Sequence, residues 1–243
     1  MSAGHAGANF LYRPGTSPVH RLPAQVKIVA ALLTVIGVVA TPREEFWAFG
    51  LYLLLIVTVW GIARVPVSHF AKRALIEVPF VVIALLMPVF GGAAGALAGW
   101  NILAKGTLGV LASLTLAATT SPRELIVGLQ RLRTPAVLTT IATLMLRYLE
   151  VIAAEARRMR LARISRGHDP RFLWQVGATA RGIGALFIRS YERGERVHLA
   201  MVSRGWTGTM PDRGAAARPS AWLAGLTPVL ATAAVLGTAV WLP

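Results

Sequence analysis

The chain has 243 residues, of which 55% are hydrophobic and only 14% charged, against about 25% charged in an ordinary soluble domain, so one water-soluble globular domain is excluded. The charges are lopsided, 25 Lys and Arg against 10 Asp and Glu for a net of +15; because they share the chain with long apolar runs, an anionic membrane face or an acidic protein partner suits them better than nucleic acid. There is no cysteine, which removes disulfides, thiolate metal sites and cysteine nucleophiles.

Residues 1–23 are polar and rich in Gly and Pro, with no apolar core, and read as a cytoplasmic segment that is not a cleavable signal. Five segments then approach or exceed the roughly 17 apolar residues needed to cross a bilayer: Ala24 to Ala40, Phe46 to Ala63, Ala74 to Phe90, Ile102 to Thr119 and Ala221 to Leu242. Lys27, Glu77 and Lys105 lie within about a turn of a segment end, where a side chain can snorkel to the interface. Gly91, Gly95 and Gly99 follow the third segment; this spacing suits either close helix packing or, as favoured here, an outer loop.

The connections alternate in charge. Arg13 and Arg21 precede the first span without an acid; Thr41 to Glu45 holds one Arg and two Glu; Arg64 to Arg73 is basic; Gly91 to Asn101 is uncharged; Ser121 to Pro219 carries 17 Arg and 7 acids. Positive charge collects on the cytoplasmic side. The pattern predicts an all-α integral membrane protein of about five spans, with a cytoplasmic N-terminus, long cytoplasmic helices between the fourth and fifth spans and a C-terminus outside. The corresponding regions are 1–23, a four-helix membrane region 24–119, a cytoplasmic region 120–219 and a last span 220–243. Two further apolar stretches, 135–154 with Arg147 and Glu150 and the shorter 176–188 with Arg181, are placed at or below the membrane surface.

The basic middle reads as helix. Ser121-Pro122-Arg123-Glu124 is a strong helix start. A second helix begins after Pro135 and ends Ser165-Arg166-Gly167; a third begins near Phe172 and ends Ser203-Arg204-Gly205. Gly after the last helical residue lets the chain turn away, and the preceding Arg sits at the negative end of the helix dipole with a donor fork suited to a carboxylate. Either tip alone is ordinary capping. Their recurrence 38 positions apart in one basic region points to a paired docking device. Arg147 and Glu150, three apart, are expected to pair on one helix face. The pair His168-Asp169 is better read as capping than as a metal site.

The chain resembles the transmembrane T component of energy-coupling-factor transporters, the family that includes CbiQ of cobalt uptake. The resemblance rests on Tyr12 to Leu22 with Lys27, on Ser121 to Leu125, on Leu129 to Arg133, on Arg147-Tyr148 and the Arg-rich run to Gly167, and on Arg189 to Arg193 with Ser203-Arg204-Gly205-Trp206-Thr207-Gly208. The family's usual tip is Ala-Arg-Gly, and Ser stands in the first position here at both tips. The resemblance implies a non-catalytic scaffold in the bacterial inner membrane. Its partners would be two ABC-type ATPase subunits, docked through Ser165, Arg166, Gly167, Ser203, Arg204 and Gly205, and a substrate-binding membrane subunit, CbiM-like if cobalt is the cargo. It implies no cofactor, no metal ligands, no catalytic residues and no nucleic acid. The same role in a biotin or other vitamin system is the alternative. A stand-alone permease is a weaker one, since ionisable residues sit only at span ends. No Gly-x-x-x-x-Gly-Lys-Ser/Thr phosphate loop is present.

Overall fold

The computed structural model describes residues 12–66, 77–167, 176–208 and 216–241. Among them every regular element is helical: α1 (Pro18–Arg21), α2 (Ala24–Ala40), α3 (Phe46–Ala63), α4 (Val78–Thr119), α5 (Pro122–Arg131), α6 (Ala136–Ser165), α7 (Val176–Val202) and α8 (Pro219–Trp241). The chain divides into two compact units, one built from Leu11–Leu132 with Gly214–Pro243 and the other from Arg133–Arg213. Within the described residues all five apolar segments form helices in the first unit. By length and composition α3, α4, α6 and α8 each suffice to cross a membrane, and α2 is a shorter apolar helix.

One expectation is overturned at α4. The stretch read as an outer loop is helical except at Gly92, whose φ of 56° and ψ of −136° reverse the chain. That backbone region is open to glycine and strained for other residues. The arms 78–91 and 93–119 fold against each other. A side chain at Gly95 would overlap the carbonyl oxygen of Met87, and one at Gly99 that of Ala84, while Gly106 faces the Phe80 ring. Two of the three glycines therefore serve as packing surface, because only a bare Cα lets the backbones approach so closely. Gly91 meets nothing.

Around α2 the other helices take alternating directions. The Lys27 end of α2 meets Thr119, and its Val39–Thr41 end meets Lys105, so the long arm of α4 runs antiparallel to it. Gly225 approaches Val26, and Thr232 approaches Gly37, so α8 runs parallel to α2. The start of α3 lies beside Thr41 through a 2.9 Å bond between Thr41 Oγ1 and Tyr52 Oη. Near that end Val38, Ala48, Phe49, Tyr52, Leu108, Leu111 and Ala239 form the buried core. Most other large apolar side chains of the unit point outward, Leu54, Leu85, Val89 and Leu230 among them. Such an exterior suits lipid and not water. Helix α5 belongs to this unit too: Gly128 lies against Ala24, Gln25 and Ile28. Its start is a full capping box, Ser121 N–H to Glu124 Oε2 at 3.0 Å and Glu124 N–H to Ser121 Oγ at 3.3 Å.

The two lysines near span ends do not simply snorkel. Lys27 is only 7% exposed, and its Nζ donates to the carbonyls of Thr119 at 2.9 Å and His20 at 3.1 Å. It thereby closes the C-terminal ends of α4 and α1, whose last carbonyls have no helical partner. At the opposite end Lys105 Nζ donates to Val39 and Thr41 carbonyls at 2.8 and 2.9 Å, closing α2. The N-terminal motif packs over the Lys27 end. Arg13 N–H donates to Ala118 at 3.0 Å, and the His20 ring links Ser17 Oγ at 2.7 Å and the Arg13 carbonyl at 3.1 Å.

Candidate functional site: two helix tips on an antiparallel pair

In the second unit α6 and α7 lie side by side. Gly182 lies opposite Arg163, Arg189 bonds Glu155, and Leu144 and Tyr148 line one cavity with His198 and Met201. The pairing steps backward along α7 as it steps forward along α6, so the helices are antiparallel. Their C-terminal tips consequently point to opposite ends of the pair. With about 1.5 Å of rise per residue, they stand roughly 40 Å apart.

Both tips share the hydrogen bond made by the tip glycine. At the first, Gly167 has φ 77° and its N–H donates to Ile164 at 2.9 Å. At the second, Gly205 has φ 79° and its N–H donates to Val202 at 2.9 Å, while the Trp206 N–H reaches back to Met201 at 3.0 Å. This last pair of bonds is a complete Schellman closure. Ser165 and Ser203 turn their hydroxyls onto their own helices, to Leu161 at 3.0 Å and Ala200 at 3.1 Å. A small residue suffices at that position, which accounts for Ser replacing Ala. Ser165, Arg166, Gly167, Ser203, Arg204 and Gly205 are all exposed. Among the described residues neither Arg166 nor Arg204 forms an ion pair. Each guanidinium is left at the negative end of a helix, open to an external carboxylate.

Between the tips the helices are joined by charge. Glu155 accepts from Arg158 at 2.5 Å on its own helix and from Arg189 at 2.6 Å on α7. The bonds from Arg158 and Arg189 hold its carboxyl below the usual carboxylate range. The expected Arg147–Glu150 pair is not formed. Arg147 lies over the Tyr148 ring, 5.8 Å from its centre, and Glu155 makes the structural ion pairs instead. A bridge between helices has no signature in the spacing of either one, so sequence could not find it.

Sequence reasoning also missed what stands behind the second tip. Trp206 folds back to meet His198 edge-on, with ring centres 5.8 Å apart. Both rings line a cavity of about 250 Å³ with Tyr148, Ile152, Val197 and Met201. The signal available was an aromatic residue directly after a tip glycine, where an apolar contact back to the helix is common. His168-Asp169 and the start expected near Phe172 lie outside the described residues. Among those described no cluster of His, Asp and Glu could hold a metal.

Fold and site together define a multi-pass, all-α membrane protein whose second helical unit presents two exposed cationic tips. A family model described as cobalt transport protein, CbiQ, matches residues 15–214. The cobalt transport protein CbiQ of Rhodobacter capsulatus is 34% identical over 168 residues, which span 65% of this chain and 68% of that protein. The energy-coupling factor transporter transmembrane protein EcfT of Bacillus selenitireducens is 26% identical over 225 residues, 81% of this chain and 82% of the relative. The EcfT of Bacillus subtilis is 25% identical over 226 residues, 81% and 83% of the two chains. The chain belongs to the CbiQ cobalt transport protein family.

Proposed function

We propose that this protein is the non-catalytic transmembrane coupler of an energy-coupling-factor importer. Its two tips dock on two ABC-type ATPase subunits, and its helices pass their motion to a substrate-binding membrane subunit. The observation that carries this reading is the matched pair of exposed Ser-Arg-Gly tips at opposite ends of one antiparallel helix pair. Two like tips far apart suit two like sockets on a paired partner, and each Arg suits an acidic group there. The helices between them then act as a bar held at both ends.

Orientation follows from loop charge. The alternating directions of α2, α3, the arms of α4 and α8 agree with the alternation of basic and non-basic connections, which sets the N-terminus inside and the C-terminus outside. Helix α6 is long and apolar enough to cross, but a crossing would carry Arg157 to Arg166 to the outer face. We therefore keep α6 on the cytoplasmic side, in a bacterial inner membrane. Cobalt is the cargo we favour, because the cobalt relative is more similar than the EcfT relatives.

The test is co-purification from membranes with the ATPase and substrate-binding subunits. Arg166→Glu combined with Arg204→Glu places like charge in each acidic socket and is expected to weaken binding by several kcal/mol, so the ATPases are lost while the chain remains inserted. Full ATPase association in that variant would overturn the docking role. Cobalt uptake that needs all subunits supports the coupler, and uptake by this chain alone in liposomes would establish a permease.

A further inference from the structure

The first unit contains a cavity of about 300 Å³ enclosed by α1, α2, α3, the long arm of α4 and α8. Its inner wall is buried and almost wholly apolar or hydroxyl-bearing: Thr34, Ile56, Ala112, Thr115 and Gly225. Two of the polar groups there are already used. Thr115 Oγ1 donates to Leu111, and Lys27 Nζ is spent on two carbonyls. The lining residues Ile62 on α3 and Ala224 and Thr227 on α8 are instead exposed, as is Pro18 on α1 at the end of the bundle. The cavity therefore opens sideways between α3 and α8. These two helices meet at their other end, where Val235 and Ala239 pack with the core of Ala48 and Tyr52, and they part toward this one.

A side opening between two membrane helices faces hydrocarbon. Cavities of about 150 Å³ lined by aliphatic side chains already stay dry and take up apolar guests, so a larger one open to lipid is filled by lipid. The rim is basic. Arg21 lies between the lining residues Val19 and Leu22, Arg64 is two residues beyond Ile62, and Arg218 precedes the first residue of α8; all three are exposed. Three arginines from three elements at the same end of the bundle match an anionic head group whose tail lies in the crevice. We propose that the crevice between α3 and α8 holds an acyl chain of an anionic phospholipid, its head group resting on Arg21, Arg64 and Arg218. The proposal does not depend on which partners the tips engage or on which face is cytoplasmic.

The test uses the full chain reconstituted in nanodiscs of equal phosphatidylglycerol and phosphatidylcholine, then released gently for native mass spectrometry. Wild type is expected to retain phosphatidylglycerol in preference to phosphatidylcholine. Ala224→Phe with Thr227→Phe fills the mouth from exposed positions that burden no core packing, and retention should fall about tenfold. Replacing Arg21, Arg64 and Arg218 by Gln should abolish the head-group preference while a lipid is still retained. Thermal unfolding of each variant identifies any that has lost its fold, and a photo-cross-linker on Leu223→Cys, an exposed α8 position beside the mouth that does not line the cavity, reads the occupant without filling it. Cross-linking to lipid in the assembled complex supports the proposal. Equal retention of both lipids by wild type, unchanged retention in the folded Phe variant, or cross-linking chiefly to a partner subunit would overturn it.

Discussion

Lys27 shows how one charge near a span end can act on structure. Its ammonium is shut from solvent and donates to two carbonyls, one 92 residues away. A helix that ends within the membrane boundary leaves carbonyls that water reaches poorly, and an uncompensated one is costly. Lys27→Met keeps the apolar stem and removes the donor, so we expect a loss of about 2 kcal/mol, the usual worth of hydrogen bonds to a charged group. Thermal unfolding of the detergent-solubilised chain measures it, and Lys27→Gln, which keeps a donor, should recover part of the loss. An unchanged midpoint for Lys27→Met would show that the carbonyls find other donors. Sequence exposed the position of this residue but not its partners. Snorkelling and capping begin from the same place in a chain, and only the three-dimensional neighbour separates them. Arg166 and Arg204 were legible for the opposite reason: the helix end that fixes their setting lies next to them in sequence.

At the scale of elements, the hairpin at Gly92 carries the same lesson. Three glycines at four-residue spacing fit a loop or a packing face equally well, because the spacing is informative only once a helix is granted. The run is apolar throughout, so no period distinguishes its inward face. The packing decides it, with Gly95 and Gly99 against the opposite arm and Gly91 in open space. Gly99→Leu should force the arms apart at a cost of about 1–3 kcal/mol, the range for overpacking, whereas Gly91→Ala should be neutral or slightly stabilising through helix propensity. A Cβ at Gly106 would stand 3.8 Å from that of Phe80, close to the mean separation in disulfides. In this cysteine-free chain Phe80→Cys with Gly106→Cys should therefore oxidise readily. Adding Gly99→Leu should abolish that cross-link and adding Gly91→Ala should not. Survival of the cross-link beside Gly99→Leu would show that the arms tolerate the side chain.

The whole molecule joins two kinds of helix packing. In the first unit small residues bring backbones together and the exterior is apolar. In the second, α6 and α7 share few close approaches and are tied by Glu155, Arg189 and the Trp206 cavity. Sequence conveyed this division through charge, since all but a few of the arginines fall between Ser121 and Pro219. It could not convey that the two tips point apart, because the direction of one helix against another is set by packing and not by composition. That geometry is what the proposed docking role requires: tips at one end would meet a single socket, while tips at both ends can receive opposite displacements. It is measurable inside one unit. Arg166→Cys with Arg204→Cys, spin-labelled in the otherwise cysteine-free chain, should give a distance distribution centred near about 40 Å, from roughly twenty-six residues of helical rise. Adding Glu155→Ala removes the acceptor that joins α6 to α7 and should broaden the distribution without moving its centre by a full helical turn. A centre below about 20 Å, less than half the separation that the helical rise gives, would mean that the tips lie at the same end and would remove the two-socket argument.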